Sequence, residues 1–238
     1  MRYPSPLIPA RLVRRYKRFL ADMLLEDGTA ITAHCANPGS MLSLATPGHR
    51  CWLSHNPDPK RKLAYSWELE EMPGGCVGLN TARANQIVAE ALAAGAIPEL
   101  RRWPIVRREA DDGRGSRLDF HLSAPDGSVC WLEIKSVTMS RQPGLAEWPD
   151  ARSARGLRHL EALTTLAAHG DAAVLLFLAQ RPDCTDFRIA GDIDPAYARA
   201  LAAIQALDAV PKPLILAYDC SASPAGIEFR KPLNLQLI

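Results

Sequence analysis

From Arg11 to about Asn80 the apolar and polar positions fall into short β-type runs: RLVRRYKRFLADMLL, TAITAHC, RCWLSH, AYSWELEEM and GCVGLN. Between them lie Glu26-Asp27-Gly28, Asn37-Pro38-Gly39-Ser40, Pro47-Gly48, Asn56-Pro57-Asp58-Pro59 and Pro73-Gly74-Gly75. Each break holds turn formers, through glycine's access to positive φ, proline's fixed φ or a side-chain hydrogen bond from Asn, Asp or Ser. About five strands with regular turns predict a small β-barrel.

After Asn80 the period lengthens. TARANQIVAEALAAG puts Ile87, Val88, Ala91 and Leu92 on one stripe and stops at Gly95 and Pro98, as a helix does. Three strand-like segments follow, WPIVRRE, SRLDFHL and SVCWLEIKSV, then a helix from about Arg152 to His169 and the apolar strand AAVLLFLA. The helix PAYARALAAIQAL, the strand LILAYD and an edge strand GIEFR complete the chain. That order predicts an α/β domain with a mixed sheet. The expectation is two unequal domains, residues 1–80 and 81–238, with neither an internal repeat nor a low-complexity linker.

Apolar residues make up 47% of the 238 and charged ones 23%, a mix that supports a sizeable core and argues against disorder. No apolar run approaches the roughly 18 to 20 residues of a membrane span, and MRYPSPLIPARLVRRYKRF lacks a secretory pattern. A cytoplasmic protein with no membrane partner is expected. Six scattered cysteines (Cys35, Cys51, Cys76, Cys130, Cys184, Cys220), with no CxxC pair, suit unpaired, mostly buried thiols in a reducing compartment. The net charge of +2 makes no case by itself for a polyanionic partner. Its distribution does. Residues 1–20 hold six basic residues (Arg2, Arg11, Arg14, Arg15, Lys17, Arg18) and no acid, and Lys60-Arg61-Lys62 adds a second cluster. Such clusters neutralise phosphates even on a near-neutral protein.

Asp119 lies in SRLDFHL; Glu133 and Lys135 lie in WLEIKSV; the turn-forming Pro125-Asp126-Gly127 falls between. The spacing predicts adjacent antiparallel strands on which Asp119 approaches Glu133. Glu133 and Lys135, two apart, share a face from which Ile134 points away. Two carboxylates suit a hard divalent cation, Mg²⁺ or Mn²⁺, which completes its shell with water and substrate phosphate. Such a cation lowers the pKa of bound water and stabilises charge on phosphate, while a lysine orients the nucleophile or offsets that charge. The chemistry would be phosphodiester hydrolysis. On the E-x-K spacing alone an ordinary cross-strand ion pair on a solvated face is the favoured reading; the hairpin, the preceding helix and the basic segment after the strand raise the case for a site.

The segments NPGSM, KRK followed by SWEL, LNTARAN, SRLDF, EIKSVTM and WPDARSARGLRHLEAL, in that order through nearly the whole chain, resemble the sugar fermentation stimulation protein family. The resemblance implies an N-terminal OB-like barrel followed by a PD-(D/E)xK restriction-endonuclease-like α/β domain, in a family described as DNA-binding and linked to sugar-metabolism regulation. Asp119, Glu133 and Lys135 match the nuclease-type motif residue for residue, with Leu118 where the superfamily's name has proline. Asn37-Pro38-Gly39 stands where the N-terminal pattern is Asn-Thr-Gly.

Glu90, on the alanine-rich helix, sits where nuclease-like domains often place a further carboxylate facing the metal; otherwise it is a solvent-facing helix residue. Arg155, Arg158 and His159 on the later helix are expected to contact phosphate or assist the leaving group; otherwise they are a solvated helix face. Asp150 is expected to lie near that helix's N-cap. In the barrel, Arg14, Arg15, Lys17 and Arg18 interleave with Tyr16 and Phe19, a mixture that suits a backbone-tracking groove with base-stacking platforms; the alternative is a buried aromatic face alternating with a solvated basic one. His34, Cys35, His49, Cys51 and His55 match no common zinc spacing, so zinc is not expected. With no GxGxxG, P-loop or GxSxG, neither is a nucleotide cofactor. Two functions stay open: a Mg²⁺-dependent nuclease, and a non-catalytic, largely sequence-nonspecific DNA-binding regulator of sugar metabolism that keeps the site unused. Cutting both strands of a duplex would favour a homodimer.

Overall fold

Lys17 and Arg18 take positive φ, 47° and 64°, and this tight turn splits RLVRRYKRFLADMLL into two antiparallel strands, β1 (Ile8–Tyr16) and β2 (Leu20–Leu25). The computed structural model describes residues 1–208 and 210–236. β3 (Ala30–Cys35), β4 (Arg50–His55) and β5 (Tyr65–Met72) follow. β1 pairs with β2 and β4, β2 with β3, and β4 with β5, all antiparallel; β3 closes the ring by pairing parallel to β5. The result is a closed five-stranded OB barrel. Alternate residues of each strand fill it, among them Leu12, Met23, Ala33, Leu53 and Trp67, all 2% exposed or less.

β6 (Gly75–Gly78) leads into helix α1 (Arg83–Ala93), the strands β7 (Ile105–Asp111), β8 (Arg117–Ser123) and β9 (Val129–Val137), and then β10 (Met139–Gln142) and β11 (Gly144–Trp148). Helix α2 (Ala154–Ala168), β12 (Ala172–Ala179), β13 (Cys184–Ile189), helix α3 (Pro195–Gln205), β14 (Leu214–Ser223), β15 (Gly226–Pro232) and β16 (Asn234–Gln236) follow. The central sheet is mixed: β14, β12 and β9 run parallel, and β8 and β7 continue it antiparallel. Alanine-rich α1 packs on one face through Ala84, Ile87, Val88 and Ala91, against Phe120, Leu132 and Ile134. α2 and α3 cover the other through Leu160, Leu163, Tyr197 and Leu201, against Trp131, Val137, Leu175 and Phe177. β10, β11, β13 and β16 form a second small sheet. Its strands are short and mostly paired to distant segments, so no local alternation announces them.

The two units are joined closely. Cys76 of β6 pairs with Ala222 of β14, so barrel and α/β strands run into one twelve-stranded sheet. Glu68 of β5, 1% exposed, accepts two bonds from the Arg83 guanidinium at 2.7 and 3.1 Å, one from Asn80 at 3.1 Å and one from Ser54 at 2.8 Å. A buried carboxylate this fully satisfied holds its partners firmly, because releasing one leaves an uncompensated charge. The opening residues sit on the α/β unit rather than the barrel. Met1 and Ile227 exchange backbone bonds at 2.7 and 2.9 Å, and Leu7 enters the core beneath α1. Residues 1–7, which precede the barrel strands, thus pack with the α/β unit.

Candidate functional site

β9 is central and buried on both faces, yet its α2 face reads Trp131, Glu133, Lys135, Val137. Two ionisable side chains interrupt an otherwise apolar surface, at 3% and 9% exposure. β8 pairs with β9 from Ser123↔Val129 only as far as Phe120↔Leu132. At Asp119 the strand rolls over: Phe120 packs in the α1-side core and Leu118, two residues away, in the α2-side core. Opposite, Glu109 of β7 takes a positive φ of 49°, uncommon for a residue with a Cβ. The parted ladder frees the Ile134 N–H, which donates to the Asp119 carboxylate at 2.8 Å. The other Asp119 oxygen accepts from the Asn85 amide of α1 at 2.8 Å.

Glu133 Oε1 accepts from the Lys135 ammonium at 2.7 Å and from His159 Nδ1, which α2 delivers on the face it covers. The Arg155 guanidinium donates to His159 Nε2 at 3.3 Å. That bond assigns the ring proton to Nδ1, the nitrogen facing Glu133. Glu133 Oε2 is buried and has no hydrogen-bond partner among the described residues. Burial and the Glu133 charge push the Asp119 carboxyl up to about 6, against the Ile134 and Asn85 bonds and the Lys135 charge, which pull it down. At Glu133 burial also pushes upward, but the His159 bond and the Lys135 charge outweigh it and hold that carboxyl below its usual value.

An open cleft of about 610 Å³ lies over this pair, lined by Asn85 and Gln86 of α1, Arg108 and Glu109 of β7, Asp119, Glu133 to Ser136, and Arg155. A free, buried carboxylate oxygen beside a second carboxylate that resists ionisation is the environment a hard cation relieves. Asp119 and Glu133 fit such an ion. Glu90 does not join them: its carboxylate, 52% exposed, binds the Met1 ammonium at 2.7 Å and accepts from Gln86 at 3.2 Å. Five residues of helix after Asn85 turn it about 140° away. Among the described residues no three His, Cys, Asp or Glu side chains converge as a metal cage.

The basic residues divide. His159 is 7% exposed and its ring is engaged with Glu133, so it supports a carboxylate rather than presenting itself to phosphate. Arg155 lines the cleft, whereas Arg158 is exposed outside it. Arg15 is committed within the barrel, donating to the carbonyls of Arg18, Asn37, Gly39 and Ser40 and so clamping the Asn37–Ser40 turn. Arg14 pairs with Asp22 at 2.8 Å and lies over the Tyr16 ring, whose hydroxyl also donates to Asp22. Lys17 and Arg18 stand exposed on the turn beyond. Asp150 caps no helix; Ser153 does, accepting from Gly156 N–H at 2.9 Å. Asp150 instead receives the Met41 N–H at 3.1 Å from the barrel. Residue 39 is glycine because a Cβ there would lie 2.1 Å from an Asp150 carboxylate oxygen.

Asn85, Glu68 and Arg83 were not singled out by sequence reasoning, although LNTARAN and SWEL contain them. Glu68 and Arg83 meet across the two units and Asn85 meets Asp119 within the α/β unit, contacts that neither motif shows alone.

The family model described as the sugar fermentation stimulation protein RE domain matches residues 82–226, and that of the SfsA N-terminal OB domain matches residues 13–79. A sugar fermentation stimulation protein homolog of Rhodospirillum centenum is 52% identical over 235 residues, covering 99% of either chain. One of Ruegeria pomeroyi is 48% identical over 229 residues, covering 96% of this chain and 98% of its own. The structure of Pyrococcus furiosus SfsA in complex with Ca²⁺ matches with a TM-score of 0.87 at 26% identity, over 99% of this chain and 98% of that one.

Proposed function

The chain belongs to the sugar fermentation stimulation protein family, and from that premise we propose that it binds nucleic acid and hydrolyses phosphodiesters at a PD-(D/E)xK-type site formed by Asp119, Glu133 and Lys135. The observation that carries the reading is the unpartnered, buried Glu133 Oε2 beside Asp119, whose carboxyl is pushed up to about 6. Both are explained if the pair is built to hold a cation. The Pyrococcus furiosus relative was solved with Ca²⁺, which takes oxygen ligands as Mg²⁺ and Mn²⁺ do.

In this reading Asp119 and Glu133 hold Mg²⁺ or Mn²⁺, and when bound that ion would activate water and offset charge on the phosphate. The remaining work falls to the chain. Asn85 and the Ile134 N–H fix one carboxylate; His159, oriented by Arg155, fixes the other. Lys135, anchored on Glu133, keeps an ammonium at the cleft surface where a phosphate oxygen gains charge during attack. Arg155 and Arg108 line the same cleft and attract the polyanion.

A second reading, a DNA-binding regulator that does not cut, is favoured by one feature: Glu133 Oε1 is already occupied by Lys135 and His159. One experiment decides. Labelled single- and double-stranded DNA and RNA are incubated with Mg²⁺, Mn²⁺ or EDTA and the wild type, Asp119→Ala or Lys135→Ala. The nuclease reading expects metal-dependent cutting lost in both variants. Salt-sensitive binding without cutting by any of the three refutes it and leaves the regulator.

A further inference from the structure

We propose that the nucleic acid enters as a single strand, through a narrow cleft between the barrel and the α/β domain that leads directly onto Lys135; this rests on the nuclease-type reading and adds the strandedness of its substrate. The cleft encloses about 290 Å³. Arg18 and the Asn37–Gly39 turn form one wall, residues 148–153 the other, and Ile134 to Ser136 the floor. Thr81, Ile134, Lys135 and Ser136 line both this cleft and the one over the carboxylates. A polyanion with one phosphate at Lys135 therefore has a continuous path between the two units.

The walls are tied together, which sets the width. The Ser40 hydroxyl donates to the Asp150 carbonyl at 2.6 Å, the Met41 N–H to the Asp150 carboxylate at 3.1 Å, and the Ser140 N–H to Ser43 Oγ at 3.1 Å. Arg15 clamps the barrel turn from behind. At about 290 Å³ the cleft lies at the small end of single-ligand pockets, which span ~300 to 1,000 Å³, a size that matches about one nucleotide rather than a base pair.

Its chemistry suits phosphate. Arg18, Lys135 and Arg152 line it against two acids, Glu147 and Asp150; Arg18 also donates to the Pro38 carbonyl at 3.0 and 3.2 Å and Lys135 to Glu133. Glu147, 1% exposed, is held by Arg141 and Arg188, and Asp150 accepts from Met41. Beside Arg18 on the same turn, Phe19 is 44% exposed and stacks with His34, ring centroids 6.4 Å apart. Its exposed ring, next to the cleft rather than in its lining, offers a platform for an unpaired base. Cations that track a backbone combined with an aromatic platform are what single strands use, since a duplex hides its base faces. A single strand also needs only one active site, so no second copy is required.

The test is fluorescence anisotropy of a labelled oligo-dT and of a duplex of equal length, in EDTA and across a salt series. The single strand is expected to bind at least tenfold more tightly. Its log K against log[salt] slope should shrink by about 0.7 for each cation removed in Arg18→Ala and Arg152→Ala. Phe19→Ala should weaken binding about tenfold and leave the slope unchanged. A duplex that binds as tightly as the single strand overturns the proposal, as does a natively folded Arg18→Ala/Arg152→Ala protein with unchanged affinity and slope. Failure of the nuclease reading looks different. Single strands bound in this way but uncut in Mg²⁺ refute catalysis and support the cleft, whereas duplexes cut internally without strand preference support catalysis and refute the cleft.

Discussion

Replacing Asp119 with asparagine should stabilise the metal-free protein at alkaline pH. Burial and the Glu133 charge raise this carboxyl from 3.8 to about 6 in the folded state. An acid with a raised folded pKa favours folding fully below its unfolded pKa, and that advantage is lost as pH rises through the folded value. At 1.36 kcal/mol per pKa unit, ionised Asp119 costs the folded state about 3 kcal/mol above about pH 6. Near pH 5 the cost is about half that, and near pH 3 it vanishes. The Asp119→Asn side chain keeps an oxygen for the Ile134 N–H, and the Asn85 amide can turn to accept from it. Urea unfolding in EDTA should therefore show the variant about 2–3 kcal/mol more stable at pH 8, with the gap narrowing toward pH 4. On a chain of this length that corresponds to roughly 4–12 °C in Tm. Mg²⁺ or Mn²⁺ should raise the Tm of the wild type at pH 8 and not that of the variant, since a ligand stabilises only the state that binds it. A variant no more stable than the wild type at pH 8, or a gap independent of pH, refutes the view that Asp119 is strained by burial and charge.

Two further outcomes follow from the same geometry. His159→Ala removes the Nδ1–H donor from buried Glu133; urea unfolding should show a loss of about 1–3 kcal/mol, and calorimetry a weaker Mn²⁺ affinity, with His159→Gln recovering part of both. Gly39→Ala forces a Cβ to within 2.1 Å of the Asp150 carboxylate; a loss of about 1–3 kcal/mol should accompany faster exchange of the Met41 amide, and unchanged protection there would disprove the docking role of Asp150.

What the sequence determined by itself was whatever depends on short-range period. Alternation and turn residues mark the barrel strands, although Lys17 and Arg18 lie inside one unbroken run of the sequence pattern and their positive φ makes them a turn. The alanine-rich stripe marked α1, and the two-residue spacing placed Glu133 and Lys135 on one face of β9, since strand period is a local steric property. Tertiary structure decided the rest. Whether Glu90 or Asn85 meets Asp119 depends on the helix's rotational phase against the sheet, which is set by the packing of Ile87 and Val88. That His159, 26 residues away, engages Glu133 depends on α2 crossing behind β9. That Arg18 faces a cleft opposite residues 148–153 depends on how the barrel docks, whereas Arg15 clamps a turn of its own barrel. The parting of β8 from β9 at Asp119, which frees the Ile134 N–H for a carboxylate, has no pattern of its own along the chain. Side-chain periodicity tells which face a residue takes; which residues it meets there is settled by contacts between segments far apart in the chain.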